Sequence, residues 1–255
     1  MKKWLILLLA LGALAPVAWY FTERKHADLD PLKQDTIIVG TNAEYPPFSF
    51  IQDGKLVGFD IDVAREVVHR LGKKIEFKDM AFTTLIPELQ RGRVHLIAAG
   101  MTPTPERAKR IAFTEPHLTG DTLVIVAKSS LGEMSLENLR GKEVVVNEGY
   151  AADGFMTEWG GALLVRLNTP ADAFLALKSG RAIAYVDARD AVLPFFKQYG
   201  YEQFSMSPIS GSEKVTATSL GISANYPAFQ QEVQRILTHM HDDGTLEQLK
   251  KKWGV

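Results

Sequence analysis

Apolar positions along the chain recur in two rhythms. Thr36-Ile37-Ile38-Val39-Gly40 is a short β-branched run ending in glycine, the pattern of a strand. From Asp60 to Gly72 the period changes. Ile61, Ala64, Val67, Val68 and Leu71 fall on one helical face, Asp60 is placed to cap the helix, and Gly72 stops it. Ile75 to Phe77 reads as the next strand. Thr83 is placed to cap a second helix carrying Leu85, Ile86 and Leu89, which Gly92 ends. Val94 to Ala98 reads as a buried strand. This β-α-β-α-β order predicts a largely parallel sheet with helices on its faces.

The second half repeats the junction. Leu89-Gln90-Arg91-Gly92-Arg93 precedes the apolar run Val94 to Ala98, and Leu177-Lys178-Ser179-Gly180-Arg181 precedes the apolar run Ala182 to Val186, 88 residues on. Helix–glycine–strand junctions are common, so the match is suggestive of two similar α/β lobes and not a proof of a repeat. Thr122 to Ala127 is expected to close the first lobe and Lys142 to Val146 to open the second. Thr216 to Ile222 is a second crossing, and Tyr226 to Trp253 returns as a helical tail. Two crossing strands make a hinge. Ligands of open α/β sheets bind beyond the carboxyl ends of strands, which places Ala99 and Asp187 on a shared cleft.

The N-terminus adds a compartment. Lys2 and Lys3 precede Trp4 to Phe21, eighteen residues without a charge. That is the pattern of a signal segment, and the run is also long enough for an uncleaved anchor. Residues 1–21 are therefore expected to be a signal peptide or membrane anchor, with 22–35 a polar tether and the remainder outside the cytoplasmic membrane. Lobe 1 is expected at 36–126 and 220–255, and lobe 2 at 127–219.

Composition removes several classes of function. Lys plus Arg number 29 against 30 Asp plus Glu, so no excess of positive charge favours a nucleic-acid partner. The chain has no cysteine, which excludes disulfides, thiolate metal sites and a cysteine nucleophile. It carries no G-x-S-x-G elbow, H-E-x-x-H pair or phosphate loop, and its six histidines are scattered. No catalytic residue, metal site or cofactor is expected. Asp60 and Asp62 fit the N-terminus of a helix better than a paired-carboxylate site.

The strongest local feature is Gly100-Met101-Thr102-Pro103-Thr104-Pro105-Glu106-Arg107. A strand ends, a threonine caps, proline takes the first helical position, and arginine sits in the first turn. Free amides, a hydroxyl and a guanidinium together suit a carboxylate. The same spacing also fits a solvated arginine paired with Glu106. Asp187 ends an apolar strand, where it suits an ammonium or, equally, the cap of a helix from Ala188. Tyr45 and Phe82 lie at strand ends, where two rings can sandwich a side chain or simply join the core.

In combination these residues resemble the solute-binding proteins of polar amino-acid ABC transporters. The likeness rests on Gly40-Thr41-Asn42 through Tyr45-Pro46-Pro47-Phe48, on Val57-Gly58-Phe59-Asp60-Ile61-Asp62, on Gly100 to Arg107, on Asp187, and on Gly244-Thr245-Leu246 with Lys252-Trp253-Gly254. It spans about residues 36–255. The resemblance implies a two-lobe periplasmic-binding-protein fold of type 2: two mixed sheets flanked by helices, joined by two hinge strands. It implies that Arg107 and Thr102 hold a ligand carboxylate, that the Gly100 backbone and Asp187 hold the ammonium, that Tyr45 and Phe82 flank the side chain, and that Asn42 meets its tip. Glu148 is a candidate counter-charge for a guanidinium, and Glu44 reads as surface charge. The asparagine at position 42 is similar to some arginine-binding members, which makes arginine the leading ligand among polar amino acids. Ala151 departs from the pattern, since a hydroxyl residue or glycine is common there. The implied partners are a free amino acid and the membrane subunits of a transporter, with the chain a monomer. Two rivals stand beside this reading: a cyclohexadienyl dehydratase-like enzyme, for which Glu148 is the candidate general acid, and a sensor module for a separate signalling partner.

Overall fold

The computed structural model describes residues 30–255. The signal or anchor segment and residues 22–29 of the tether lie outside the described residues. The end of the tether is already held: Asp30 accepts from the Leu32 amide at 3.0 Å, and Lys73 donates to the Leu32 and Gln34 carbonyls at 2.8 and 2.5 Å.

The first sheet is built from β1 (Thr36–Thr41), with a small antiparallel ribbon of β2 (Glu44–Tyr45), β3 (Ser49–Gln52) and β4 (Lys55–Val57) branching from it. Helix α1 (Phe59–Arg70) follows, then β5 (Lys74–Asp79), α2 (Phe82–Gln90), β6 (Leu96–Ile97), the single turn α3 (Pro105–Ala108) and β7 (Ala112–Phe113). The chain then enters the second sheet through β8 (Leu123–Lys128), β9 (Glu143–Asn147), α4 (Ala151–Trp159), β10 (Leu163–Leu167), α5 (Pro170–Ser179), β11 (Ala184–Ala188), α6 (Arg189–Tyr199) and β12 (Phe204–Pro208). It returns through β13 (Gly221–Ile222) and ends in α7 (Pro227–Asp242) and α8 (Thr245–Trp253).

The two sheets have the same topology. Their strand orders are β5-β1-β6-β13-β7 and β10-β9-β11-β8-β12, and in each the first three strands are parallel and the last two antiparallel. The fourth strand of each sheet, β13 or β8, directly follows a crossing between the lobes. Helix–glycine junctions 88 residues apart thus occupy matching places, since β6 and β11 are the third strands of their sheets. The two crossings run side by side. The Thr218 amide donates to the Leu118 carbonyl at 3.0 Å, the His117 amide to the Thr218 carbonyl at 3.0 Å, and the Thr216 hydroxyl to the Asp121 carbonyl at 2.7 Å.

Three sequence expectations change. The run Thr122 to Ala127, read as closing the first lobe, is β8 and pairs with β11 and β12 of the second sheet. All but its last residue are buried, so its hydropathy fits the centre of either sheet. Asp60 does not cap α1. The cap position is Gly58, and Asp60 is fully buried as the second residue of the helix. Helix α2 begins at Phe82 after Ala81, without a Thr83 cap. Gly58 has φ 138°, and a Cβ there would lie 2.1 Å from the Phe48 carbonyl oxygen, so only glycine fits the turn. Asp62, the second acid of α1, ties down the C-terminal helix: its Oδ2 accepts from Trp253 Nε1 at 2.9 Å and Lys252 Nζ at 2.7 Å.

Candidate functional site

The facing ends of the two sheets enclose a cavity at the crossings. Its walls include Tyr45, Phe82, Gly100, Thr102 and Arg107 from the first lobe, and Tyr150, Ala151 and Ala188 from the second. Phe48, Asp121, Thr216 and Thr218 complete it.

Arg107 is delivered by the short helix α3, which Thr104 caps by accepting from the Arg107 amide at 3.3 Å and Pro105 opens. The guanidinium does not turn to Glu106. It donates to the Thr102 carbonyl at 2.7 Å and, across the cleft, to the Gly149 carbonyl at 2.6 Å, and it lies 5.2 Å from the centre of the Phe82 ring. Burial lowers its pKa to about 10, so it is charged at neutral pH. Among the described residues no carboxylate forms an ion pair with it.

Gly100 lies at the mouth of the strand end with φ +62°. Its amide donates to Asp60 Oδ2 at 2.6 Å, and the other oxygen of Asp60 meets His117 Nε2 at 2.9 Å. The buried Asp60 therefore holds the Gly100 amide from behind. Thr102 is buried, and its hydroxyl donates to the Val215 carbonyl at 3.2 Å.

Asp187 sits in β11, 2% exposed, directly behind the wall formed by Tyr45 and Ala188. It is not a helix cap; α6 starts after Ala188. Its carboxylate accepts from the Tyr185 hydroxyl at 2.5 Å, the Ala188 amide at 2.8 Å and the Tyr45 hydroxyl at 3.4 Å. Burial raises its pKa to about 6, against the hydrogen bonds that favour the carboxylate. Burial also pushes the Tyr45 and Tyr185 hydroxyls well above the usual tyrosine range. No basic side chain forms an ion pair with Asp187 among the described residues.

Asn42 is buried, with both its amide nitrogen and its amide oxygen hydrogen-bonded. Its Nδ2 donates to the Met80 carbonyl at 3.2 Å and to Glu44 Oε2 at 3.4 Å, and its Oδ1 accepts from the Tyr150 hydroxyl at 2.9 Å. Glu148 is exposed and, like Asn42 and Asp187, is not a wall residue. The turn after β9 instead sends Tyr150 inward. Glu44, read as surface charge, is exposed but touches the buried amide of Asn42.

Sequence reading missed Tyr150, Phe48, Asp121 and the crossing threonines. Asp121 lies at the first crossing, 5% exposed, and accepts from the Thr122 amide at 2.7 Å and the Asp190 amide at 3.3 Å. Burial raises its pKa, and the Arg189 guanidinium, 3.5 Å away, opposes this only weakly. A polar residue at a crossing was the available signal.

Paired sheets of one topology, joined by two crossings with a cavity lined by a cation and an acid between them, define a two-lobe binding protein. The pattern of the bacterial extracellular solute-binding proteins, family 3, matches residues 37–255, and the chain belongs to that family. It is 31% identical over 263 residues to the arginine-binding extracellular protein ArtP of Bacillus subtilis (strain 168), covering 99% of this chain and 98% of ArtP. An ancestral arginine-binding protein bound to glutamine shares the fold with a TM-score of 0.80 at 34% identity, over 86% of this chain and 98% of that one. An ancestral amino acid-binding protein described as a precursor of cyclohexadienyl dehydratase gives 0.78 at 30%, over 90% and 98%.

Proposed function

We infer that the protein binds one free α-amino acid outside the cytoplasmic membrane and passes it to the membrane subunits of an ABC transporter. One observation carries this reading. Arg107 lines the cavity at the two crossings and Asp187 lies behind its Tyr45 and Ala188 wall, opposite in charge and, among the described residues, each without a side-chain counter-ion. Burying either charge unpaired is costly, and a zwitterion relieves both. Arg107 takes the carboxylate in a fork, with Thr102 beside it. The Gly100 carbonyl and Asp187 take the ammonium, and Asp121 adds negative charge on the same side.

The ligand's side chain is polar, and arginine leads. Tyr45 and Phe82 offer faces to a planar guanidinium. Glu44, through Asn42, sets a negative charge at the far end. The arginine-binding relatives support the same choice. Residues 4–21 serve as a signal or membrane tether, and the protein acts as a monomer. No helix among the described residues is long and apolar enough to cross a membrane.

Calorimetric titration with arginine, lysine, histidine, glutamine and glutamate tests the reading. Arginine is expected to bind tightest, by about tenfold over glutamine, or roughly 1.4 kcal/mol. A tighter glutamine or glutamate overturns the side-chain assignment and leaves Arg107 and Asp187 in place. The exposure of Glu148 weighs against the dehydratase alternative. Turnover of prephenate or arogenate would reinstate it.

A further inference from the structure

The aromatic slot that suits a ligand side chain holds a residue of this chain. Tyr150 comes from the second lobe, at the turn between β9 and α4, yet its ring packs into the first. It stands 4.6 Å from the centre of the Phe82 ring and 5.0 Å from that of Tyr45, edge-on to the latter. Its hydroxyl donates to Asn42 Oδ1, and the side chain is 4% exposed. Tyr150 thus packs against both rings and takes the Asn42 amide oxygen. The Asn42 nitrogen is already used by Met80 and Glu44, so Asn42 has no other group to offer.

We propose that Tyr150 is the specificity-determining residue of the cleft, acting by competing with the ligand's own side chain for this slot. The inference rests on the amino-acid reading above. In that reading Arg107 and Asp187 hold the α-carbon end of any amino acid. A one- or two-atom side chain then stops short of Tyr150 and uses its ring as an end wall. A long side chain reaches Asn42 only after Tyr150 has swung out, and it must replace the ring contacts and the hydrogen bond that Tyr150 gives up. Tyr150 therefore selects by side-chain length, because long ligands bind against an internal competitor that short ones leave in place. Its place on the second lobe couples that selection to closure, because the competitor enters the slot only as the lobes meet. The departure at Ala151 fits the same arrangement: a small residue beside Tyr150 gives the ring room to leave.

Titration of wild type, Tyr150→Ala and Tyr150→Phe with arginine and with serine tests the proposal. Removing the ring is expected to raise the arginine-to-serine affinity ratio by about tenfold, since arginine gains an open slot and serine loses its wall. Tyr150→Phe keeps the packing and frees the Asn42 oxygen, so it is expected to raise the ratio by a smaller factor, about threefold. It also serves where the alanine variant fails to fold. A purely structural role would weaken both ligands alike. An unchanged or lowered ratio in the variants that bind overturns the Tyr150 role and leaves the amino-acid reading intact. Absence of heat from every amino acid in all three proteins overturns that reading and the inference with it.

Discussion

Arg107 and Asp187 are held ready by neutral groups. The guanidinium bonds two carbonyls, and the carboxylate receives two tyrosine hydroxyls and an amide. Such partners orient a charge without cancelling it. Arg107→Ala is therefore expected to remove binding of every amino acid, at a cost of about 3–5 kcal/mol by analogy with broken buried pairs; calorimetry that finds affinity kept within a few-fold would show the fork to be misplaced. Asp187 makes a pH prediction. Its pKa near 6 is set by burial and lies above the ordinary aspartate value, so the native state holds a proton that the unfolded chain has lost. Between about pH 4 and 6 the ligand-free protein should lose stability as pH rises, with Asp190, also raised to about 6 by burial, acting in the same sense. Ammonium binding needs the ionised form, so affinity should fall as pH drops from 7 to 5. Asp187→Asn should flatten its share of the stability profile and abolish tight binding; an unaltered pH profile of affinity in wild type would remove Asp187 from the site. The positions of Arg107 and Asp187 were legible because a helix start and a strand end are written in spacing. Glu148 was not, because side chains in the turn after β9 no longer alternate as in a strand, and the inward place fell to Tyr150, two residues on.

Elements position these residues through two glycine turns and one buried acid. Gly100 adopts φ +62°, and a Cβ would lie 2.8 Å from the Tyr45 ring. Gly100→Ala is expected to destabilise the fold by roughly 1–2 kcal/mol for the backbone, with an added loss from displacing Tyr45. Gly211 provides the comparison, with φ +81° and nothing within 4 Å of an added Cβ. Thermal denaturation should place Gly100→Ala clearly below Gly211→Ala, and equal melting temperatures would mean that Tyr45 yields freely. Hydropathy predicted α1 and its buried face, but not that Asp60 faces inward. A carboxylate in the first turn reads as a cap by propensity alone. Here its partners, the Gly100 amide and His117, come from segments 40 and 57 residues away. The lobe assignment of β8 failed for a related reason: an apolar strand carries no mark of which sheet it joins.

Across the whole molecule, the cleft is bridged by contacts from the residues proposed to read the ligand. Arg107 reaches Gly149, Tyr150 reaches Asn42, and Tyr45 reaches Asp187. Among the described residues, the only covalent links between the lobes are the two crossings, which are paired to each other near Leu118 and Thr218. Rotation about that pair separates the facing sheet ends while each sheet keeps its own hydrogen bonds, so the cost of opening falls on the cross-cleft contacts. An amino acid that touches both lobes adds free energy only to the closed arrangement and shifts the population toward it. Small-angle scattering of residues 22–255 is therefore expected to give a smaller radius of gyration with saturating ligand than without. Tyr150→Ala, which removes one bridge, should enlarge the ligand-free particle and widen the difference. A radius unchanged on demonstrable binding would count against closure about the crossings, because a ligand bound equally well by open and closed lobes cannot shift their balance however tightly it is held.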